Sequence, residues 1–375
     1  MRILLLAVGL WLFTPSMSLA ASARPLAERV RALVADFMSS ASTGGQPAVP
    51  AMSVAIGRDG NVLFADGFGE ARTGVPATSR TIYMVGSLTK QFTAAAILRL
   101  MEKHDRAGLT GKELSPSLPV ADVLRVADAW AIEGGPPITV SHLLSMTSNL
   151  PNFTRKPPRQ LDPWGSVPAR KLLGELGDFR PSGYPGEFEY SNTSYFLLAE
   201  IMEAVELAGH YRSYRQTLND EIFARLGMTQ TGFASDPKIA ASLADPHFTH
   251  PPPFAAPDWL KGSADVASSV MDLFRWNAAL MTDEVLTPTM RDLMLSDQAR
   301  VDVWTYYGMG WFITHKGGMD RYFHTGTVSG FTSFNLIVKG ASKSWISVSL
   351  LANCDGLEGI SDLGEKLAAL ALETD

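Results

Sequence analysis

Apolar residues recur at helical spacing over 26–38, where Leu26, Val30, Leu33, Val34, Phe37 and Met38 share a face, so an amphipathic helix is predicted there. The Ser-, Gly- and Pro-rich stretch 39–50 ends it. Short strand-like runs follow at 51–56 and 62–65, on either side of Gly57-Arg58-Asp59-Gly60-Asn61, a sequence suited to a hairpin turn. A matching group closes the chain. Strands are expected at 308–314, 321–324, 331–338 and 345–352, with turns at 316–318 and 339–343 and a terminal helix over 357–372.

Between these groups the period is mostly helical, with candidates at 88–104, 120–129, 141–146, 194–205, 214–226 and 269–281. A half-buried antiparallel sheet needs several strands over one core, so the two terminal groups are expected to combine. The fold class is therefore α+β: an antiparallel sheet flanked by N- and C-terminal helices, with a large, mostly helical insertion. The expected division is an α/β lobe from 24–86 plus 300–375 and a helical lobe from 87–299, with an active-site cleft between them. Loops rich in Pro and Gly at 134–137, 151–166 and 250–257 should frame that cleft or the surface beside it. No internal repeat is evident.

Composition narrows the function classes. Among the 375 residues, 46% are apolar and 19% charged, which excludes a disordered chain and predicts a substantial core. The net charge of -6 offers no general attraction to nucleic acid or an anionic membrane. Cys354 is the single cysteine, so neither an intramolecular disulfide nor a cysteine-rich zinc cage can form. Arg2 followed by the apolar run 3–13, Pro15 and the small residues at 18–23 is a signal-peptide layout, with cleavage expected after Ala20 or Ala23. That run is well short of the roughly 20 residues a bilayer span requires, so removal is expected and permanent membrane insertion is not. The mature protein is expected to be periplasmic or secreted.

Three separated pieces carry candidate chemistry. Ser87 and Lys90 in Gly86-Ser87-Leu88-Thr89-Lys90 are three apart at a helix start, so both side chains fall on one face near free backbone N–H groups. A serine hydroxyl needs a base to become a nucleophile, and a desolvated lysine can serve. Tyr190-Ser191-Asn192 offers a hydroxyl for proton relay and an amide for holding a carbonyl or an ammonium. His324-Thr325-Gly326-Thr327 offers side chains to a substrate carboxylate, a glycine that permits close backbone approach, and a Thr327 N–H that could join the Ser87 N–H as an oxyanion hole. Each piece alone also has an ordinary reading: a capping Ser87 with a surface lysine, a packed tyrosine beside a capping Asn192, and a strand-end histidine with a glycine bulge.

Taken together, Ser87-Leu88-Thr89-Lys90, Tyr190-Ser191-Asn192 and His324-Thr325-Gly326 resemble the three signatures of serine penicillin-recognising enzymes, in the branch of class C beta-lactamases and D-Ala-D-Ala carboxypeptidases, which also includes esterases and D-amino-acid peptidases. The segments 143–148, 226–228, 272–276 and 307–311 look like that family's supporting segments. The resemblance implies that Ser87 is acylated and the acyl-enzyme hydrolysed, with Lys90 and Tyr190 sharing proton transfer. It further implies that Asn192, His324, Thr325, Gly326 and Thr327 bind substrate and that the backbone N–H groups of Ser87 and Thr327 receive the oxyanion. His324 stands where beta-lactamases of this class usually have lysine, which points toward a carboxypeptidase or general hydrolase. Asn149 stands where many relatives have glycine, a change that a left-handed backbone tolerates comparatively well in asparagine.

The expected activity is that of a D-Ala-D-Ala carboxypeptidase-like peptidase. The alternatives are an esterase or weak beta-lactamase, and a noncatalytic protein that binds peptidoglycan-like peptides. The expected partner is a small peptide, ester or lactam; oligomeric state stays open. His247-Phe248-Thr249-His250 lacks a matched ligand set and reads as loop, so no metal is expected, and serine acyl transfer requires no cofactor. No Gly-x-Ser-x-Gly elbow, Walker loop or dinucleotide fingerprint is present.

Overall fold

Strand β1 (Ala51–Arg58) turns into β2 (Asn61–Arg72) through Asp59 and Gly60, both at positive φ, as a two-residue hairpin turn requires. The computed structural model describes residues 25–43, 49–103, 113–155, 168–206, 212–248, 260–341 and 344–374. The remaining strands are β3 (Val75–Pro76), β4 (Tyr83–Met84), β5 (Gly232–Phe233), β6 (Val266–Ser268), β7 (Ala299–Arg300), β8 (Thr305–Tyr307), β9 (Phe312–Lys316), β10 (Met319–Val328), β11 (Phe331–Lys339) and β12 (Trp345–Ala352). The longer helices are α1 (Leu26–Thr43), α2 (Thr89–Glu102), α3 (Asn192–Glu206), α4 (Val270–Leu280) and α5 (Ile360–Leu372).

Nine strands form one sheet in the order β3-β2-β1-β12-β11-β10-β9-β8-β7. The decisive pairing is β1 with β12, antiparallel from Met52 opposite Ala352 to Arg58 opposite Ile346. It makes one sheet of the two terminal strand groups, as the patterning predicts. Every residue of β12 is buried, because both faces of the central strands are covered. On one face Val30 and Val34 of α1 and Leu363, Leu367 and Ala371 of α5 meet Val54, Ile56, Val348 and Leu350. On the other, Ala55, Ile337 and Leu351 join the apolar layer that contains Leu88 and Phe92 of α2 and Trp276 of α4.

Several elements differ from the sequence reading. A second sheet, β4-β6-β5, draws β5 and β6 from the 87–299 stretch expected to be mostly helical. Its strands are two or three residues long, too short to show a period. The helix expected at 120–129 is two 3₁₀ turns, Val120–Asp122 and Arg125–Trp130. The one at 214–226 is an α turn, Tyr214–Leu218, followed by a wider π turn, Asn219–Phe223. Of the strand expected at 308–314 only 312–314 are extended, in β9; 308–311 form the bend between β8 and β9, in which the Gly308 N–H donates to the Trp311 carbonyl at 2.8 Å. A side chain at Gly310 would run into the Lys90 carbonyl, so the bend lets this corner close on α2.

Residues 1–24, which hold the expected signal peptide, lie outside the described residues, as do Thr249, His250 and the loop expected at 250–257. His247 is held by its backbone, its N–H donating to the Asn353 carbonyl at 3.1 Å. Among the described residues, no helix is long and apolar enough to cross a membrane.

Candidate active site

Ser87 sits in a single 3₁₀ turn, Gly86–Leu88, that leads from β4 into α2. It does not cap the helix; the N-cap is Leu88, without a side-chain hydrogen bond. The half-buried Ser87 hydroxyl is instead held by Lys90, with Nζ at 3.0 Å from Oγ, and by the Tyr190 O–H, which donates to Oγ at 2.8 Å. Lys90 is fully buried. Its Nζ also donates to Asn192 Oδ1 at 2.7 Å and to the Ser263 carbonyl at 2.9 Å.

This geometry fits an unprotonated amine: two N–H groups satisfy Asn192 and Ser263, leaving the nitrogen lone pair for the Ser87 proton. Burial drives the Lys90 pKa well below its ordinary value, and the negative charge of Asp265 opposes that shift. Burial raises the Tyr190 pKa, with the hydrogen bond to Ser87 pulling the other way. Tyr190 is therefore a neutral donor at rest, and the Lys90 ammonium that proton transfer would create lies 4.9 Å from the centre of its ring.

The sheet side of the site is strand β10. The Ser333 hydroxyl donates to the Val85 carbonyl at 2.7 Å, drawing the turn that carries Ser87 against Gly326. A Cβ at Gly326 would lie 2.2 Å from the Val85 carbonyl oxygen and 3.1 Å from the Ser87 nitrogen; one at Gly86 would lie 3.0 Å from the Thr327 nitrogen. The backbone nitrogens of Ser87 and Thr327 thus lie at a close junction of turn and strand where the two glycines leave room. Thr325 and Thr327 are exposed beside it.

His324 differs from the expectation. Its motif predicts a side chain that lines the cleft and meets a substrate anion, yet it is 1% exposed, because strand alternation turns it inward while Thr325 and Thr327 face out. Nδ1 is committed to the Thr325 carbonyl at 2.6 Å, and Nε2 faces the Tyr307 hydroxyl at 3.4 Å. The rings of Phe312 and Tyr190 pack against it at 5.0 and 6.1 Å. Burial and the nearby Lys90 push its pKa down to about 3. His324 is a neutral packing element beneath Tyr190, and its charge does not rise with mild acid.

A match to the family model described as Beta-lactamase runs over residues 26–373. The chain belongs to the beta-lactamase family. It is 28% identical over 331 residues to Penicillin-binding protein 4 of Amycolatopsis lactamdurans, covering 81% of each chain. Among solved structures, it resembles the octameric penicillin-binding protein homologue from Pyrococcus abyssi with a TM-score of 0.74 and 26% identity, over 92% of this chain and 76% of that one. It shares the fold of D-amino acid amidase from Ochrobactrum anthropi SV3 at a TM-score of 0.72 and 17% identity, over 92% and 99% of the two chains. The protein is a serine hydrolase of the penicillin-binding and beta-lactamase fold.

Sequence reasoning singles out the 143–148 segment and Asn149 near this beta-lactamase-family site but misses Asn152 and Thr154, which hold Asn192 in place. Thr154 Oγ1 accepts from Asn192 Nδ2 at 2.9 Å and donates to Asn152 Oδ1 at 2.8 Å, which fixes the amide so that its oxygen faces Lys90. The Ser191 N–H donates to the Met146 sulfur at 3.3 Å. Met146 takes φ 59 and Asn149 φ 54, left-handed positions that bend the segment beneath Tyr190. For Asn149 this conformation is the one glycine would supply. Neither Asn152 nor Thr154 stands at a signal spacing, because each meets the site only through tertiary contact.

Proposed function

We propose that Ser87 is the nucleophile of a two-step acyl hydrolase. Lys90 takes the Ser87 proton as Oγ bonds to the substrate carbonyl carbon, and the N–H groups of Ser87 and Thr327 receive the resulting oxyanion. Tyr190 relays a proton to the departing group. Water then attacks the carbonyl carbon of the acyl-serine ester, its proton passing through the same pair to Ser87 Oγ as the acyl C–Oγ bond breaks and the acid leaves. Asn192 orients Lys90 and the substrate carbonyl, while Thr325, Gly326 and Thr327 form the strand wall along which the acyl chain lies. The observation that carries this reading is the Ser87 hydroxyl held between the Lys90 amine and the Tyr190 hydroxyl. The cleft lies between the lobe of 24–86 plus 300–375 and the lobe of 87–299, and residues 1–20, with cleavage after Ala20 or Ala23, direct export, which cell fractionation tests.

The preferred substrate in this proposal is a D-Ala-D-Ala-like peptide. An esterase is the second reading, favoured by the burial of His324, which leaves that position without a cation for a substrate carboxylate. Intact mass after exposure to a penicillin and to a p-nitrophenyl ester tests the nucleophile: an adduct on Ser87, absent in Ser87→Ala, is expected. No adduct from either reagent would remove the acyl-enzyme and leave peptide binding without catalysis. Relative turnover of D-Ala-D-Ala peptides and neutral esters then separates the two substrate readings.

A further inference from the structure

Behind Lys90 the chain turns back on itself between Gly262 and Asp265. Asp265 is 2% exposed, and its Oδ1 accepts from the Gly262 N–H at 3.2 Å and from the Tyr214 O–H at 3.1 Å. The turn is fastened to α2 at both ends. The Thr93 hydroxyl donates to the Gly262 carbonyl at 2.8 Å, and the Val266 N–H donates to Thr89 Oγ1 at 3.1 Å. Between these fastenings the Ser263 carbonyl meets Lys90 Nζ. An ionisable carboxyl is a costly way to accept two neutral donors in a buried loop, since an amide would accept both without a charge to desolvate. What the carboxylate adds is its field, and the amine it acts on is Lys90.

We propose that Asp265 is a positioning residue for Lys90: it folds the 262–265 turn so that the Ser263 carbonyl holds the amine, and its negative charge steadies the ammonium formed when Ser87 is deprotonated. The inference rests on the reading of Ser87 and Lys90 as nucleophile and base. Burial lifts the Asp265 carboxyl to about 7, with Tyr214 and Arg215 opposing. Its charge is therefore present above neutrality and lost below it. Lys90 is faced as well by Tyr190 and Tyr195, whose rings lie 4.9 and 5.7 Å away, and by His324, all three neutral in this range.

The test is the pH dependence of Ser87 acylation by a p-nitrophenyl ester in the full chain, comparing wild type with Asp265→Asn and Asp265→Ala. Asparagine keeps an acceptor for Gly262 and Tyr214 and removes only the charge. The ratio of Asp265→Asn to wild-type rates is expected to fall from near one below about pH 6 to about one tenth above about pH 8. Asp265→Ala should be slow at every pH, with asparagine restoring the rate on the acid side. A purely structural role would give a ratio independent of pH; that result, or equal rates throughout, overturns the inference even where Asp265→Ala fails to fold. Ser87→Ala separates the two levels of argument. Labelling that survives it removes the parent reading and this inference together; labelling that depends on Ser87, with a flat ratio, removes the inference alone.

Discussion

The Tyr190 hydroxyl donates to Ser87 Oγ at 2.8 Å, and the Tyr190 ring packs 6.1 Å from that of His324. Packing holds the ring in place while the phenol O–H is given to the serine. Tyr190→Phe keeps the packing and removes one O–H. Acylation is expected to slow by about 10²–10⁴-fold with the thermal midpoint nearly unchanged. Stopped-flow acylation and calorimetry on the same preparation check this, and an unaltered rate would take Tyr190 out of the proton path.

Gly326→Ala probes the junction of strand and turn. The added methyl meets the Val85 carbonyl at 2.2 Å and the Ser333 hydroxyl at 2.3 Å, so the Ser87 and Thr327 N–H groups must part. Losing the alignment of one oxyanion donor costs about 10²–10³ in kcat. The expected signature is a fall in kcat larger than any change in KM, together with a lower thermal midpoint. A variant with full turnover would show that these donors do not hold the oxyanion.

Thr154→Val leaves Asn192 Nδ2 without its acceptor, although Thr154 touches neither Ser87 nor Lys90 in the hydrogen-bond set of the site. Releasing one such bond is worth about 1 kcal/mol, which corresponds to about a fivefold fall in kcat/KM. Thr154→Ser should recover most of it, because it restores the hydroxyl. Equal losses in both variants would assign the effect to packing.

Acid stability should depend on Glu221, whose carboxylate accepts from Arg99 Nε at 2.7 Å, from Arg212 Nη2 at 3.1 Å and from Lys103. Burial alone would raise its pKa, but the hydrogen bonds from Lys103 and Arg99 outweigh that and hold it down at about 2. A carboxyl depressed in the folded state stabilises above its unfolded value of about 4.3 and loses that contribution as pH falls through its folded value. Glu221→Gln is therefore expected to lower the thermal midpoint at neutral pH, with the gap closing toward about pH 2. A gap that stays constant with pH would mean that the charge contributes nothing.

Much of this architecture is legible in the chain. The long strands β1, β11 and β12 and the helices α1, α2 and α5 carry enough apolar residues for their period to show, and their placement at both ends predicts the joined sheet. Ser87, Lys90, Tyr190 and Asn192 are legible because two short local motifs contain them, and the structure brings all four into one hydrogen-bonded set. The burial of His324 is harder to foresee: β10 runs to Val328, past the motif, so alternation and not the end of a strand decides which way the imidazole points. Thr154 and Asp265 leave no local trace, since what each does depends on a neighbour far along the chain.

The pairing of β1 with β12 sets an order of events on the ribosome. Residues near position 52 have no central sheet to enter until those near 352 have been made, so the first hairpin must wait through most of translation. A nascent chain halted before Trp345 would therefore hold Ser87 and Lys90 in sequence but lack the strand that joins the two halves of the sheet. The sheet whose strand β10 carries Thr325 and Thr327 is therefore complete only once the last strand of the chain has been made.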